Sequence, residues 1–341
     1  MPENIEQAPT SNNLGAFIIM CLATYLGLIN IQIVNSSFKE IQGGLAIGPE
    51  QVSWVLTSTL IAEVIMLPVA GWLCRLFSTK WLFAGCLFGF TIASAGCAIA
   101  WNLESMIAFR ALQGFCGGAL MPLVFATTYY VFPRHQHTAV MTILSFVLVT
   151  PIAIAPLVGG WITEALTWRW MFWFSIPPGI VLMLASIAFI KIDKTEFSLA
   201  KNIDFLGIAL AAASLLFLIV VLEEGRRHDW FASRLIVALA TASVITAYLF
   251  VWRELTCQHP VVDLKVFVNR DFSVGCFYTF IYGAIFFVPF FLLPLYLAEI
   301  RAIDTLQIGT IIVVLGISMA ISSPLAGVLV RILHLRWVAF F

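Results

Sequence analysis

Two ionisable side chains stand well inside long apolar runs of this 341-residue sequence, Glu63 and Arg110. A charge in such a run is expensive and marks a functional position by default. A carboxyl group in an apolar environment suits the loading and release of a proton. The structural alternative is a glutamate hydrogen-bonded to a neighbouring helix merely to fix packing. Arg110 falls roughly 8 Å inside its run at 1.5 Å per helical residue, deep enough to need a partner or a water-filled cavity. Snorkelling of its long side chain to the boundary is the competing explanation, and the nearby Gln113 and Gly114 favour an interior face instead. Asn30, Gln32 and Asn35 form a polar cluster in another apolar run, with Asn30 at a depth comparable to Arg110. Glu63 is expected several ångströms deeper, within reach of the Arg110 side chain, so the two are read as a proton-coupling pair.

Other residues point to moving parts rather than to bond chemistry. In Thr150–Gly160, Pro151 and Pro156 each remove a backbone donor and bend a helix. Gly159 and Gly160 permit close helix approach, and a static kink is the plainer alternative. Tyr278, Tyr282, Phe286 and Phe290, with their aromatic neighbours, could line an apolar pocket or simply face lipid. No GxxxxGK[ST], HExxH, CxxC pair or GxSxG occurs, which argues against nucleotide hydrolysis, metal catalysis and esterase chemistry. The five histidines fall in expected loops and do not cluster, and the seven cysteines lack metal-ligand spacing. No catalytic residue, metal site or cofactor is therefore expected. The formal net charge of zero gives no reason to expect nucleic-acid binding.

The elements that must carry these residues are membrane-spanning helices. The sequence is 61% apolar and 11% charged, against about 25% charge in soluble domains, and its mean hydropathy is +1.00. Ten segments approach the about 20 apolar residues needed to cross a bilayer: 14–38, 52–73, 81–100, 105–132, 138–161, 170–190, 205–222, 235–252, 272–297 and 305–330. With the N-terminus in the cytoplasm, eleven Lys and Arg fall in cytoplasmic loops and six in the opposite ones. By the positive-inside rule that orientation is expected.

An internal repeat organises the spans. PVAGWLCRLFSTKW (68–81) aligns with PLAGVLVRILHLRW (324–337), sharing Pro, Ala, Gly, Leu, Arg and Trp. The tenth span thus plays the part of the second in a second half. This predicts a cytoplasmic tail over 1–13 and a six-helix bundle over 14–190. An inserted two-helix region over 191–271 follows, with spans 205–222 and 235–252, and then the start of a second bundle over 272–341. A full second half would bring the total to fourteen spans, of which about ten are expected here, so the sequence reads as C-terminally truncated.

Several motifs resemble the major facilitator superfamily, and specifically its fourteen-span EmrB/QacA-like drug:proton antiporters. LINIQIVNSSF (28–38) is similar to the family's first-span signature, with Asn30 where that signature has Asp. GWLCRLFSTKW (71–81), carrying Gly71, Arg75 and Lys80, resembles the loop between spans 2 and 3, with Arg75 at its usual acidic position and Ser78 at its second Gly. FRALQGFCGGALMP (109–122) is close to the fourth-span RxxQGxG motif of Arg110, Gln113 and Gly114. The Pro151/Pro156/Gly159/Gly160 run resembles the antiporter motif, with Thr150 and Ala155 before the prolines. WRWMFWFSIPPGI (168–180), DFLG (204–207), LEEG (222–225) and PVVDLKVF (260–267) resemble further family segments.

The resemblance implies an all-α major facilitator-type bundle in a bacterial cytoplasmic (inner) membrane. It implies proton-coupled export of hydrophobic or cationic small molecules by alternating access, powered by a proton gradient rather than a cofactor. In Gram-negative hosts it implies a periplasmic adaptor and an outer-membrane channel as partners. The alternatives are a truncated remnant that transports nothing, or a transporter of another metabolite on the same scaffold.

Overall fold

Apolar runs this long leave the backbone no water to bond, so each must satisfy its own N–H and C=O groups as a helix. A computed structural model describes residues 11–35, 37–48, 51–192, 204–258 and 260–301, with scattered positions between 307 and 325. The described helices are α1 (Ser11–Asn35), α2 (Phe38–Leu45), α3 (Ser53–Ala98), α4 (Leu103–Gly118), α5 (Leu120–Val131), α6 (His137–Ala165), α7 (Trp170–Trp173), α8 (Ile176–Phe189), α9 (Phe205–Glu224), α10 (Arg234–Thr256) and α11 (Arg270–Glu299). Among the described residues, seven helical stretches are long and apolar enough to cross a membrane, α4 and α5 together forming one of them. The second copy of the repeat, 324–337, apart from Leu325, and more than half of span 305–330 lie outside the described residues.

The 46-residue α3 is two crossings, not one. A straight helix of that length would be about 69 Å long, more than twice the about 30 Å hydrocarbon core. Its helical backbone breaks at Ser78, with φ 69° and ψ 155°. Contacts with α4 show the reversal. Val55, Thr59 and Glu63 meet Arg110, Gly114 and Gly118 in the same sequence order, so the first half runs parallel to α4. Gly89 meets Cys116 and Gly96 meets Phe109 in opposite order, so the second half runs antiparallel. Where a loop is expected between spans 2 and 3, the chain instead stays helical up to a one-residue turn.

Two differences concern the ends of spans. The first span stops at Asn35 rather than at 38, and a short helix, α2, follows with Ile41 buried and Lys39 and Glu40 exposed. A single buried apolar residue among polar ones is too weak a pattern to announce a helix. At that end, Gly44 lies against the Trp168 indole and the Arg169 guanidinium stacks on the same ring, 4.2 Å from its centre. Arg169 Nη2 also donates to the Ala100 carbonyl at 3.0 Å. The WRW segment thus fastens α2, the end of α3 and the turn into α7 together.

Within α1–α8 the core is layered along the helix axes. One apolar cluster gathers Phe17, Met20, Phe83, Leu87, Leu120 and Leu144. Another gathers Ile33, Ile41, Val55, Met106, Trp168 and Phe172. Arg110, Gln113, Ser94, Asn30 and Ser175 fall between the two in sequence register on every helix that contributes, so a polar layer separates two greasy ones.

The inserted pair α9–α10 forms a hairpin joined by Ser243 Oγ donating to the Ser214 carbonyl at 3.0 Å. It docks on α3, where Trp54 Nε1 donates to Glu224 Oε1 at 2.8 Å. Arg227 holds the same carboxylate at 2.8 Å.

Candidate functional site: a buried polar layer around Arg110

Asn102 and Ser105 close the start of α4 with a reciprocal capping box. Arg110 follows two turns later, fully buried at 0% exposure. Its guanidinium makes three hydrogen bonds: Nε to the Val55 carbonyl at 3.1 Å, Nη1 to Gln113 Oε1 at 2.6 Å and Nη1 to Asn30 Oδ1 at 3.4 Å. Gln113 passes the chain on, donating from Nε2 to Ser94 Oγ at 2.7 Å, and Ser94 donates to the Phe90 carbonyl. On the other side, Asn30 Nδ2 donates to Ser175 Oγ. One connected network therefore ties α1, both halves of α3, α4 and the turn before α8. Phe172 covers it, its ring centre 5.9 Å from the guanidinium carbon.

Arg110 Nη2 is buried with no hydrogen-bond partner. Every acceptor around this cation is neutral, because Asn30 supplies an amide where an aspartate would supply a charge. Burying a guanidinium without an opposing charge in contact costs several kcal/mol.

Glu63, expected within reach of the Arg110 side chain, does not touch it. No ion pair of 4 Å or less joins them among the described residues, and they interact only through space. Register is the reason: Arg110 reaches back to Val55, whereas the Glu63 backbone lies against Gly118, two helical turns further along. At 1.5 Å per residue, eight residues separate Val55 and Glu63 by about 12 Å. Glu63 is half-buried in the first half of α3.

The helix contact that sets this register is built from glycines. A β-carbon at Gly114 would sit 2.1 Å from the Thr59 carbonyl oxygen, and one at Gly118 would sit 2.7 Å from that of Glu63. Only bare backbone fits against backbone there. Gly160 does not act this way, since a β-carbon there would meet nothing within 4 Å. Pro151 and Pro156 both stand inside α6, and buried Gly159 accepts a hydrogen bond from Thr163 Oγ1 at its carbonyl.

The remaining expected residues are spread out. Gln32 is half-buried, and the side chain of Asn35 lies outside the described residues. Gly71 and Arg75 are exposed near the α3 reversal, and the Lys80 ammonium lies 5.4 Å from the Trp81 ring centre. Tyr278 and Tyr282 are exposed at 68% and 66%, and the side chains of Phe286 and Phe290 lie outside the described residues. The structure brings an apolar cavity of about 580 Å³ elsewhere, between α1, α6, α7 and α8. Leu22, Tyr25, Ile29, Trp161, Met171 and Val181 line it, and Asn30 and Ser175 give its polar lining. Sequence reasoning missed Ser94 and Ser175 as network members. An isolated serine in an apolar span has no local signal, because its partner is distant in sequence.

Comparisons with known proteins agree with this architecture. The Major Facilitator Superfamily model matches residues 14–341. The chain is 32% identical over 332 residues to the colistin resistance protein EmrB of Acinetobacter baumannii, covering 97% of this chain and 65% of that protein. It is 30% identical over 325 residues to the multidrug export protein EmrB of Escherichia coli K12, covering 95% of this chain and 63% of that one. The chain thus spans just under two thirds of the length of these relatives. Among solved structures, the human organic anion transporter MFSD10 (TETRAN) shares the fold, with a TM-score of 0.56 at 13% identity, over 91% of this chain and 71% of that one. This multi-pass helical membrane protein belongs to the major facilitator superfamily.

Proposed function

We propose that this chain serves proton-coupled export of hydrophobic or cationic small molecules across a bacterial cytoplasmic membrane, by alternating access. The observation that carries the reading is the polar layer centred on Arg110, a buried cation without a charged partner, placed between two apolar layers and one short helical stretch from the in-span carboxyl of Glu63. Glu63 binds and releases the proton. Arg110 supplies a fixed positive charge whose field alters with the spacing of α3 and α4. The helix α6, with Pro151 and Pro156, assists the rocking of one bundle against the other.

The apolar cavity edged by Asn30 and Ser175 supports a hydrophobic substrate. The asymmetry of Lys and Arg between alternate loops supports a cytoplasmic N-terminus. A periplasmic adaptor and an outer-membrane channel complete the export path in this reading. Dye efflux from energised cells tests it. Cells carrying the chain are expected to lose dye faster than control cells, and those with Glu63→Gln to retain it as controls do. Efflux unchanged by the substitution overturns the role of Glu63.

A further inference from the structure

Far from Arg110 in sequence, one more buried polar atom lacks a partner. Glu254, in the last turn of α10, is 2% exposed, and its Oε1 is buried without a hydrogen bond. Its Oε2 accepts the N–H of Val262 at 3.2 Å, in the segment leading to α11. Glu254 Oε1 converges with Asp204 Oδ2 on the bare backbone of Gly207. A β-carbon there would lie 2.9 Å from each of these oxygens.

Asp204, at the start of α9, is already engaged. Its Oδ1 accepts the Gly207 N–H at 3.0 Å, and its Oδ2 accepts Arg253 Nε at 3.0 Å. Among the described residues, Asp204 and Arg253 are the charged groups that face Glu254. Two ionised carboxylates against one guanidinium leave an unbalanced negative charge and a buried oxygen without a hydrogen bond, both of which cost free energy. One proton removes both faults. A neutral Glu254 has an O–H to donate, and Asp204 Oδ2 keeps a free lone pair to accept it.

We propose that Glu254 and Asp204 form a proton-binding site on the inserted hairpin, in which Glu254 Oε1 holds the proton and donates it to Asp204 Oδ2. The proton comes from water and returns to it, with no other group consumed. While it is held, it ties the end of α10 and the approach to α11 to the start of α9. Its loss sets two carboxylates against each other at that junction. This site is distinct from Glu63 and stands whether or not the export reading holds.

Infrared difference spectroscopy of the whole chain in lipid, recorded against pH, tests the assignment. A protonated-carboxyl band present at neutral pH is expected to vanish in Glu254→Gln, to persist in Glu63→Gln and to shift in Asp204→Asn, where its acceptor changes. Glutamine can accept from Val262 and donate to Asp204, so Glu254→Gln is expected to melt at or above the wild-type temperature and to depend less on pH. A band that survives Glu254→Gln overturns the proposal. So does a band that disappears on adding sodium or calcium ions at constant pH, which would mark a metal-cation site. A Glu254→Gln protein melting well below wild type at every pH also overturns it, because that result would require an ionised carboxylate.

Discussion

At Asn30 an amide stands where the family's first-span signature has an acid, and the consequence is visible one residue away in the network. Arg110 is held by a carbonyl and two side-chain amides, so its position rests on hydrogen-bond geometry rather than on charge pairing. The guanidinium fork is what lets one side chain serve three acceptors. Arg110→Lys keeps the charge but not the fork, and each acceptor left dry costs about 1–3 kcal/mol. Its melting temperature in detergent is expected to fall clearly below wild type, and an unchanged melt would contradict the network. Asp204 gives a second test at this scale. Burial pushes its carboxyl up, but hydrogen bonds from Arg253 and the Gly207 N–H outweigh that and hold it below the ordinary carboxylate range. A depressed folded value means stability that is present above the unfolded pKa of about 3.9 and is lost as pH falls through the folded value. Because Arg253 is 38% exposed at its side chain, solvent screening keeps that contribution small. Melting curves of Asp204→Asn are expected to lie below wild type at neutral pH and to converge with it in acid.

Between elements, the parallel contact of α4 with the first half of α3 fixes everything the polar layer does. Gly114→Ala drives a β-carbon into the Thr59 carbonyl, and neither backbone can yield without moving its helix, a cost of about 1–3 kcal/mol. Gly71→Ala, where a β-carbon meets nothing within 4 Å, is the control and is expected to melt as wild type does. The reversal at Ser78 offers the opposite sign. Its φ of 69° with ψ of 155° belongs to a region kept almost entirely by glycine, and holding a serine there costs on the order of 1–3 kcal/mol. Ser78→Gly is therefore expected to raise the melting temperature, and a lowered one would contradict the backbone assigned there. Spans and their order were legible because about 20 apolar residues leave few alternatives. The turn itself was not, since a one-residue break carries no composition change. The Glu63–Arg110 spacing was misread for a related reason: depth along each span was estimated alone, while the relative slide of two helices is set by where the glycines Gly114 and Gly118 seat.

Across the whole molecule, the family and its architecture were readable from scattered motifs, whereas their physical work was not. LEEG (222–225) reads as a family mark, yet the structure gives Glu224 a task, receiving Trp54 from α3 and Arg227 from its own turn, so that the inserted hairpin stays fixed to the six-span bundle. WRW similarly proves to be a clamp between Gly44, Ala100 and the turn into α7. Such roles need partners 69 to 170 residues away, which no local pattern encodes. The chain nevertheless holds, in one connected bundle, a buried cation, a separate in-span carboxyl and an apolar cavity, the parts on which the proposed export rests. The most direct test reconstitutes the chain in liposomes with a pH-reporting dye inside and adds a hydrophobic cation to one side. Proton movement opposite to the cation is expected with wild type and is expected to vanish with Glu63→Gln. Cation movement without proton movement, or proton movement that survives the substitution, would contradict coupling through Glu63.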